Sequence, residues 1–459
     1  MKGKVEYKWI AMFIVDLGIF MSTLDSGIVN VSLPTLTRYF ITDIATIEWV
    51  IMAYLLTITG LLLSIGKLAD MHGRKPIFTL GFIIFTLGSA LCAFSLSVGQ
   101  LILFRVVQGI GAAMLMANGP AIITYVFPPT ERGKALGLMG TVVSVGLMTG
   151  PVLGGFLIDT IGWRSIFYIN IPIGIIATAM AMAILKKEET SKNQKFDILG
   201  ATTLFISLVS LLLALSKGQH IGWTSTYILL LFALFITFMI IFITVEYKAT
   251  HPIVDLSLFR NQSFTASNIS ALISFMAMFA VTLLMPYYLE NVLKYSPSKV
   301  GMVLISIPIS MSIIAPISGW ISDKTNSYLL SSIGIAIASL SLYLLRGLNL
   351  SSDFRSIVIR LALLGFGMGL FQSPNNSIIM GSVPKNRLSI AGGLMATMRN
   401  MGMVTGIAIA GAVYTSRLNY YLEHTSTVET IASISAFQDA YIVASIICAI
   451  GIITSLLRG

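Results

Sequence analysis

The chain has 459 residues, of which 56% are hydrophobic and only 10% are charged, and its mean hydropathy is +0.88. This composition excludes an ordinary soluble domain, because such domains carry about 25% charged residues. The net charge of +10 is also found in nucleic-acid-binding proteins, but the positions of the charges do not require a polyanionic partner.

Apolar runs recur along the whole chain. We expect about 14 membrane-spanning helices, because each run has the length that crosses about 30 Å of hydrocarbon. The first run is too long for a secretory signal peptide and is interpreted as a permanent span. The lipid bilayer is therefore an expected partner. The approximate positions of the runs are 9–33, 46–66, 77–97, 100–125, 134–158, 163–185, 198–216, 225–246, 266–289, 299–322, 327–346, 355–380, 388–415 and 438–457.

Lysine and arginine residues are concentrated on one side of this arrangement. That side holds Lys2, Lys4, Arg74, Lys75 and the polar cluster at 186–195, and the opposite side holds about half as many positive charges. Positively charged loops tend to remain in the cytoplasm during membrane insertion. The pattern predicts a plasma-membrane protein with both termini in the cytoplasm and with no nucleic acid as a partner.

Two polar segments divide the chain, one after the sixth run and one, at 246–263, after the eighth. No loop is large enough to form a separate soluble domain. We therefore predict an N-terminal six-helix half (1–190), a two-helix insert with its linker (191–250) and a C-terminal six-helix half (251–459).

A short internal repeat supports the two halves. Gly66 and Asp70 follow the second run in the same way that Gly319 and Asp323 follow the tenth. Transporters are commonly built from such repeats, with the substrate site between the halves.

The first run contains two acids and Asn30, which is a candidate cavity residue. Asp25 lies roughly 24 Å into the bilayer, counted at about 1.5 Å per residue. Such a residue costs about 2.5–3.5 kcal/mol in the membrane, so it must face protein or a water-filled cavity. Asp25 either carries protons or is a structural carboxylate bonded to a neighbouring helix. Asp16 points to the opposite face, and we expect a structural or hydrated role for it, with proton binding as the alternative.

The fourth run holds Arg105 and, one turn later on the same face, Gln108. An arginine in an apolar helix needs an anion or a hydrated cavity. Arg105 either regulates a neighbouring acid, by approaching it and moving away, or clamps two helices together. Gln108 and Asn118 are further candidate cavity residues.

The fifth run contains Gly146, Gly150 and Gly154 on one helix face, together with Pro151 and Gly155. In a soluble helix, Pro costs about 3 kcal/mol and each Gly about 1 kcal/mol. Inside a bilayer, neighbouring helices re-satisfy the backbone groups that Pro and Gly disturb, and small residues allow close helix packing. The pattern predicts a tightly packed helix that bends or slides between the two halves.

The second half offers a further set of polar candidates in the twelfth and thirteenth runs. These residues either line a substrate cavity or form hydrogen bonds between helices. They are Gln372, Asn375, Asn376, Arg399 and Asn400.

Several other chemistries find no support in the sequence. Residues 60–67 have the wrong spacing for a phosphate-binding loop, so we do not expect ATP-driven transport. The four His are scattered, and the two Cys lie inside apolar runs, so neither a metal site nor a disulfide framework is expected. No nucleophile elbow occurs in a suitable context. We predict a protein that is not an enzyme and that has no cofactor.

Four segments, in order, resemble the major facilitator superfamily, in particular its fourteen-helix drug:proton antiporters of the EmrB/QacA type. The resemblance covers nearly the whole chain. Residues 163–174, 196–197 and 251–261 are also typical of this branch. The four segments are the helix 1 signature at 24–34, the loop between helices 2 and 3 at 66–75, the helix 4 motif at 101–113 and the antiporter signature at 146–155.

The resemblance implies an all-helical major facilitator fold with two six-helix halves and two inserted helices. It also implies proton-driven export of amphipathic, often cationic compounds, with protons as the coupling ion. By the same resemblance, Asp25 is the membrane-embedded acid, Arg105 is the basic group of helix 4, and Asp70 with Arg74 forms a gating contact. Gly66, Gly73 and Lys75 belong to that gating loop, and we expect a monomer.

Two positions depart from the family pattern. Met71 replaces a residue that is usually basic, which removes one cytoplasmic charge. Glu290 stands where relatives often carry Gln. It is either a second titratable acid at the outer mouth or, more simply, a solvated helix end.

The leading hypothesis is a proton-coupled exporter of amphipathic drugs or toxic compounds that works by alternating access. The alternative keeps the fold and changes the cargo to an endogenous lipid, siderophore or metabolite. A non-transporting receptor is disfavoured, because the chain has no soluble output domain and such a receptor would give the charged residues within the spans no purpose.

Overall fold

The structure, a computed structural model, describes residues 6–128, 131–186, 197–248, 256–322, 327–383, 388–424 and 428–456. Within these ranges the regular elements are helices, joined by short turns. A 3₁₀ turn at Leu256–Arg260 precedes α11, and a π-helical turn at Tyr288–Val292 follows it. The helices are α1 (Tyr7–Phe40), α2 (Ile44–Ile47), α3 (Trp49–His72), α4 (Arg74–Ala93), α5 (Val98–Val126), α6 (Arg132–Thr160), α7 (Ser165–Tyr168), α8 (Asn170–Ile184), α9 (Ile198–Ile221), α10 (Thr226–Lys248), α11 (Gln262–Tyr287), α12 (Pro297–Leu304), α13 (Ser306–Ser322), α14 (Ser327–Leu345), α15 (Phe354–Gly381), α16 (Leu388–His424) and α17 (Glu429–Leu456).

Eleven helical segments of the described chain are long and apolar enough to cross a membrane. Two shorter stretches, Val145–Thr160 in α6 and Ile198–Leu211 in α9, are also apolar and helical. The sequence-based expectation of an all-helical, multi-pass membrane protein is confirmed. The total of fourteen spans stays a prediction.

Helix pairing repeats between the two ends of the chain. In the first half, α1 packs on α6, α3 on α5, and α4 on α5 and α8. In the second half, α11 packs on α16, α13 on α15, and α14 on α15 and α17. Each pair in the first half thus has its counterpart in the second, which is the arrangement expected of an internal repeat.

The two helices between the halves, α9 and α10, pack mainly on each other. The helix α9 also contacts α3 of the first half and α16 of the second. The Phe205 ring lies over Gly60, where a Cβ would be only 2.5 Å from a ring carbon. Residues 187–196 and 249–255 are outside the described residues, so most of the first predicted linker and part of the second are too.

The two ends of the bundle are named here by one residue each. The Arg38 end carries the α1–α2, α4–α5 and α14–α15 connections, and the Gly73 end carries the α3–α4 turn. At the Arg38 end the halves are joined by hydrogen bonds. The Ser298 N–H of α12 donates to Asp159 Oδ2 at the end of α6 over 2.9 Å, and the Thr37 and Tyr287 hydroxyls are 2.9 Å apart.

Backbone-to-backbone contacts at glycine also join α6 to α12. A Cβ at Gly155 would overlap the Pro297 carbonyl oxygen, and a Cβ at Gly301 would overlap the Pro151 carbonyl oxygen. The two contacts are reciprocal across the boundary between the halves.

The glycine face predicted in α6 packs on α1 of the same half. A Cβ at Gly146 would overlap the Thr23 hydroxyl, one at Gly150 would lie 2.8 Å from Gly27 Cα, and one at Gly154 would lie 3.2 Å from Ile28 Cγ1. The prediction of close packing agrees with this arrangement, whereas the prediction that this face lies between the halves does not. The reason is a difference in direction around the helix, because Gly155 and Pro151, and not these three glycines, meet α12 through the close contacts described above.

Candidate functional site

The site is built around α1, which runs through the centre of the first half. Every residue of α1 from Met21 to Pro34 is buried, so protein surrounds this part of the helix on all faces. Asp25 lies within that stretch and is 0% exposed.

Three side chains from two other helices donate to the Asp25 carboxylate. Arg105 Nη1 of α5 is 2.5 Å from Oδ2, and the two form a fully buried ion pair. Gln108 Nε2 donates to Oδ1 over 2.8 Å, and Asn170 Nδ2 of α8 donates to the same oxygen over 3.2 Å. These donors match the acceptor-only character of an ionised carboxylate. The structure therefore brings together the predicted residues Asp25, Arg105 and Gln108.

Arg105 is held on several sides. Its Nε donates to the Val50 carbonyl oxygen over 2.9 Å, and Nη1 also donates to Gln108 Oε1 over 2.7 Å. The guanidinium carbon lies 4.0 Å from the centre of the Tyr54 ring, a cation–π distance. Nη2 is buried without a hydrogen-bond partner among the described residues. The planar guanidinium thus links α5 to α1 and α3, while its Nη2 group stays available to another acceptor.

Asn170, Ser89 and Tyr54 complete the network, and the sequence reasoning did not select them. Asn170 Nδ2 also lies 3.0 Å from the Ser89 hydroxyl, which donates to the Phe167 carbonyl oxygen over 2.9 Å. The Tyr54 hydroxyl donates to the Ser22 carbonyl oxygen over 3.1 Å. An available signal was the asparagine at the start of an otherwise apolar helix, since such a side chain needs a partner in the membrane.

Close packing of α4 on α5 brings side chains of both helices into the network. A Cβ at Gly88 would lie 2.6 Å from Gln108 Cα, and one at Gly111 would overlap the Phe85 backbone. Glycine at these two positions lets the helix backbones approach, so that Gln108 and Ser89 reach the same carboxylate network.

The other predicted polar residues of the first half lie outside this network. Asp16 is partly buried, and its Oδ1 has no hydrogen-bond partner in the described chain. Asn30 is 5% exposed, and Asn118 donates to the Met114 carbonyl oxygen of its own helix. Neither asparagine donates to Asp25 in this structure, so their predicted cavity role stays a prediction.

The polar residues of the second half are less completely bonded. Asn375 is 0% exposed, yet neither its amide oxygen nor its amide nitrogen has a partner among the described residues. The same holds for Asn400 Nδ2 and Arg399 Nε. Gln372 and Asn376 are partly exposed. These residues suit contact with a polar ligand, which would supply hydrogen-bond partners to the unpaired groups.

Glu290 is not a solvated helix end. Its side chain is 2% exposed, and Oε2 accepts a hydrogen bond from Arg38 Nη2 over 2.6 Å. Arg38 Nη1 also donates to Asn291 Oδ1 over 3.3 Å. The simpler sequence interpretation fails because the π-helical turn that holds Glu290 packs on α12 and α17 and the Arg38 side chain of the first half pairs with the carboxylate.

The predicted gating loop lies at the Gly73 end. Gly73 ends α3 with φ of 95°, a backbone conformation that favours glycine, and its N–H donates to the Ala69 carbonyl oxygen over 2.8 Å. Arg74 Nη1 donates to the Ala121 carbonyl oxygen over 3.4 Å, and Lys75 Nζ to that of Met182 over 2.8 Å. Gly66 has open space around it. The Asp70 side chain lies outside the described residues, and with it the predicted contact to Arg74.

Comparison with known proteins gives the family. The family model described as Major Facilitator Superfamily matches residues 15–261, 198–407 and 267–459, which together span nearly all of the chain. The chain belongs to the major facilitator superfamily. Its fold and family are those of multi-pass membrane transporters rather than of enzymes.

The chain is similar to several named transporters of this family. It is 38% identical to the riboflavin transporter RibZ of Clostridioides difficile (strain 630) over 98% of this chain and 97% of that protein. It is 31% identical to the multidrug resistance protein Stp of Mycobacterium tuberculosis, over 90% of this chain and 77% of Stp. It is 32% identical to the multidrug transporter protein MdtP of Bacillus subtilis (strain 168), over 91% and 77%.

Solved structures agree on the fold. A bacterial homologue of the human lysosomal transporter Spinster, in an inward-facing and unoccupied conformation, superposes with a TM-score of 0.72 at 14% identity. The superposition covers 99% of this chain and 98% of that one. A peptide transporter of the POT type gives a TM-score of 0.69 at 15% identity, covering 99% and 100%.

Proposed function

We propose that this protein is a proton-coupled exporter of amphipathic organic compounds, including cations, that works by alternating access in the plasma membrane. The observation that carries the proposal is the fully buried ion pair between Asp25 and Arg105. A buried pair contributes little to stability compared with an apolar replacement, whereas breaking it is costly. A site that must repeatedly form and break such a pair suits a protein whose task is to bind and release a proton.

The proposed coupling follows from the donor set. In the arrangement described, Asp25 accepts hydrogen bonds from Arg105, Gln108 and Asn170. This donor set suits an ionised carboxylate, because a protonated carboxyl would also have an O–H to donate. Proton binding to Asp25 cancels the charge that holds Arg105 and frees the guanidinium to face another group. One proton that moves down 100 mV supplies about 2.3 kcal/mol, and a pH gradient adds to it.

The proposed topology has fourteen spans, with the Arg38 end outside and both termini in the cytoplasm. Its support is that α6, α9 and α16, of 29, 24 and 37 residues, add to the eleven long apolar segments. The proposed units are the halves 1–190 and 251–459 with the insert 191–250. The positive charge of the Gly73 end favours this orientation. We expect a monomer with protons as the coupling ion and no bound cofactor.

A test of the proton coupling uses purified protein in vesicles with an imposed pH gradient and ethidium as the amphipathic cation. Asp25→Asn is expected to abolish proton-linked ethidium transport while ethidium binding persists. Asp43→Asn is the matched control, because it makes the same chemical change at an exposed carboxyl that caps α2. Proton-driven transport that is undiminished in Asp25→Asn would refute the proposal.

Asp16 and Glu290 are the proposed candidates for a second transported proton. The measurement is the number of protons exchanged per ethidium, taken from the reversal potential of transport in Asp16→Asn and Glu290→Gln. A ratio reduced by one in either variant assigns the second proton. An unchanged ratio in both leaves Asp25 as the proton carrier of the cycle.

A second candidate cargo is riboflavin, which the similarity to a named riboflavin transporter over almost the full length of both chains favours. This cargo belongs to the endogenous-metabolite alternative. Radiolabelled riboflavin and ethidium, tested in the same vesicles, separate the two cargoes. Transport of riboflavin without ethidium makes this protein a flavin transporter, and the sign of its response to the pH gradient gives the direction.

A further inference from the structure

Arg399 is a cation in α16, one of the proposed spans, that has no counter-ion among the described residues. It is the twelfth residue of α16, which starts at the Gly73 end, and its Nε is buried without a hydrogen-bond partner. No described carboxylate pairs with it. By contrast, Arg38, Arg105 and Arg417 each form an ion pair with a carboxylate. Because an isolated charge is costly in this environment, we expect an anion to bind there.

Arg399 lies on the face of α16 that packs on α11. Gly402 and Gly406 follow it one and two turns later on the same face. A Cβ at Gly402 would overlap the Leu272 carbonyl oxygen of α11, and one at Gly406 would overlap the carbonyl oxygen one turn further along α11. The two helices therefore run in parallel, and Asn268, one turn before Leu272, lies at nearly the height of Arg399. Asn268 is 1% exposed, and its Oδ1 has no partner in the described chain.

The last turns of α15 bring a third helix to the same height. A Cβ at Gly392 would lie 3.9 Å from Met380 Cε, which gives the register of α16 against the antiparallel α15. From that contact, Arg399 lies roughly 10 Å further along α16 and Asn375 roughly 8 Å back along α15, at about 1.5 Å per residue. Their heights thus differ by less than one helical turn. Asn375 is 0% exposed, and neither of its amide atoms has a partner among the described residues.

Three helices of the second half thus place unpaired polar atoms at one height, which is called the polar layer from here on. Its N–H groups suit a carboxylate or phosphate oxygen, because a guanidinium and an amide both donate to such an oxygen. Its amide oxygens suit an N–H or O–H group of the same molecule. The unpaired atoms are Arg399 Nε and Asn400 Nδ2 of α16, Asn375 Nδ2 and Oδ1 of α15, and Asn268 Oδ1 of α11.

We propose that the polar layer binds the acidic group of an amphipathic organic acid, with Arg399 as its counter-ion. The proposal rests on the proposed function, export of amphipathic compounds, and adds acids and zwitterions to the cargo. A bound carboxylate or phosphate cancels the Arg399 charge and supplies partners to the amide groups beside it. A compound of the same shape without an acidic group gains neither, so Arg399 determines which charge class the second half prefers.

The polar layer and the Asp25 network lie toward opposite ends of the bundle. Arg105 is the eighth residue of α5, which starts at the Arg38 end. Asn375 lies six residues before the last residue of α15, which ends at the Gly73 end. In the proposed topology the Gly73 end faces the cytoplasm, so an acid that leaves the cytoplasm reaches Arg399 before it comes near the Asp25 carboxylate. The two sites therefore do not compete for one anion, and cargo and proton bind at separate places.

The test compares a carboxyl-bearing rhodamine dye with its methyl ester, because the two differ only in the acidic group. Binding to the full chain in phosphatidylcholine nanodiscs is measured by fluorescence polarisation at neutral pH, with no gradient applied. The unchanged protein is expected to bind the free acid more tightly than the ester. Equal binding of the two dyes, or tighter binding of the ester, would overturn the proposal without the use of any variant.

Arg399→Gln is expected to weaken binding of the free acid by about tenfold or more, the effect of losing a hydrogen bond between charged groups. Binding of the ester should stay nearly unchanged. Arg399→Lys keeps the charge and should keep the preference for the acid. Arg346→Gln is the matched control, because it makes the same change at an exposed arginine between α14 and α15. An equal loss of affinity for acid and ester in Arg399→Gln would give Arg399 a structural role and overturn the proposal.

Two further measurements separate binding from folding and from lipid. The free acid should raise the melting temperature of the unchanged protein but not that of Arg399→Gln, because only a ligand that binds the folded state stabilises it. Asn400→Leu should also weaken binding of the acid more than that of the ester, which tests the polar layer even if Arg399→Gln does not fold. Phosphatidylglycerol added to the nanodiscs should not displace the acid. Displacement would assign the anion site to a lipid headgroup and overturn the assignment to cargo.

Asp25→Asn should leave the preference for the free acid intact, since binding without a gradient needs no proton transfer. A lost preference in the unchanged protein, with proton-linked ethidium transport still present, refutes the acid site alone. A preserved preference, with transport that does not depend on Asp25, refutes the proton coupling alone. The two proposals can therefore fail independently.

Discussion

The two halves share one pattern of helix pairing, but two fully buried polar side chains, Asp25 in the first half and Asn375 in the second, are bonded in opposite ways. In the first half, Asp25 accepts three hydrogen bonds and pairs with Arg105. In the second half, both amide atoms of buried Asn375 and the Nδ2 of buried Asn400 have no partner in the described chain. Three donors hold the Asp25 carboxylate in a defined charge state, whereas an unpaired buried amide gains hydrogen bonds only when a ligand binds to it. The comparison suggests that proton handling and ligand contact are divided between the halves.

The largest expected effect comes from Arg105→Ala, which leaves the Asp25 charge buried without its counter-ion. Removing one partner of a buried pair costs about 3–5 kcal/mol. The melting temperature in detergent should fall steeply, and transport should be lost. Asp25→Asn combined with Arg105→Gln should be more stable than Arg105→Ala alone. Equal stability of the two variants would contradict a buried charge as the source of the loss.

The next effect is expected in Asn170→Ala, which removes donors to Asp25 and Ser89. A hydrogen bond to a charged group is worth about 1.5–3 kcal/mol, so the free energy of unfolding should fall by about that amount. The pH profile of transport should shift as well, because one donor to the carboxylate is gone. A changed stability with an unchanged pH profile would reduce Asn170 to a packing role.

Gly150→Ala tests whether the first half depends on close packing of α6 against α1. The added methyl group would lie 2.8 Å from Gly27 Cα, and overpacking of this kind typically costs about 1–3 kcal/mol. Gly99→Ala is the matched control, because nothing lies within 4 Å of its Cβ position. Thermal unfolding should separate the two variants, and equal melting temperatures would contradict the predicted tight interface.

The smallest stability effect is expected in Asn375→Leu. Because neither amide group has a partner to lose, a swap of similar volume should change stability by less than about 1.5 kcal/mol. Equilibrium binding of ethidium or riboflavin should nevertheless weaken. A large loss of stability with unchanged binding would reverse the comparison and give Asn375 a structural role.

The sequence predicts the class of fold and the centre of the site, because both depend on patterns along single helices. Runs of apolar residues indicate the spans, and Asp25, Arg105 and Gln108 each stand out as polar groups within them. Asn170 and Ser89 did not stand out, because their contact with Asp25 depends on how α4, α5 and α8 approach one another. That approach depends on Gly88, whose effect appears only when two helices are placed side by side.

The direction of a helix face is equally hidden from the sequence. Spacing in α6 places three glycines on one side, but it cannot say that α1 lies there and that α12 lies next to Gly155. Glu290 is a similar case, since a carboxylate at a helix end is expected to be hydrated until Arg38 of another helix covers it.

The reciprocal contacts of Gly155 with Pro297 and of Gly301 with Pro151 have a kinetic consequence. Backbone meets backbone at these two contacts, so they can separate without a change of side-chain rotamer. Weak contacts between Cα–H groups and carbonyl oxygens are worth about 0.5–1 kcal/mol each, less than the barrier that withdrawing a packed aromatic ring would add. We expect these contacts to add little to the barrier for separating α6 and α12, so that bulkier residues at Gly155 or Gly301 would slow transport turnover.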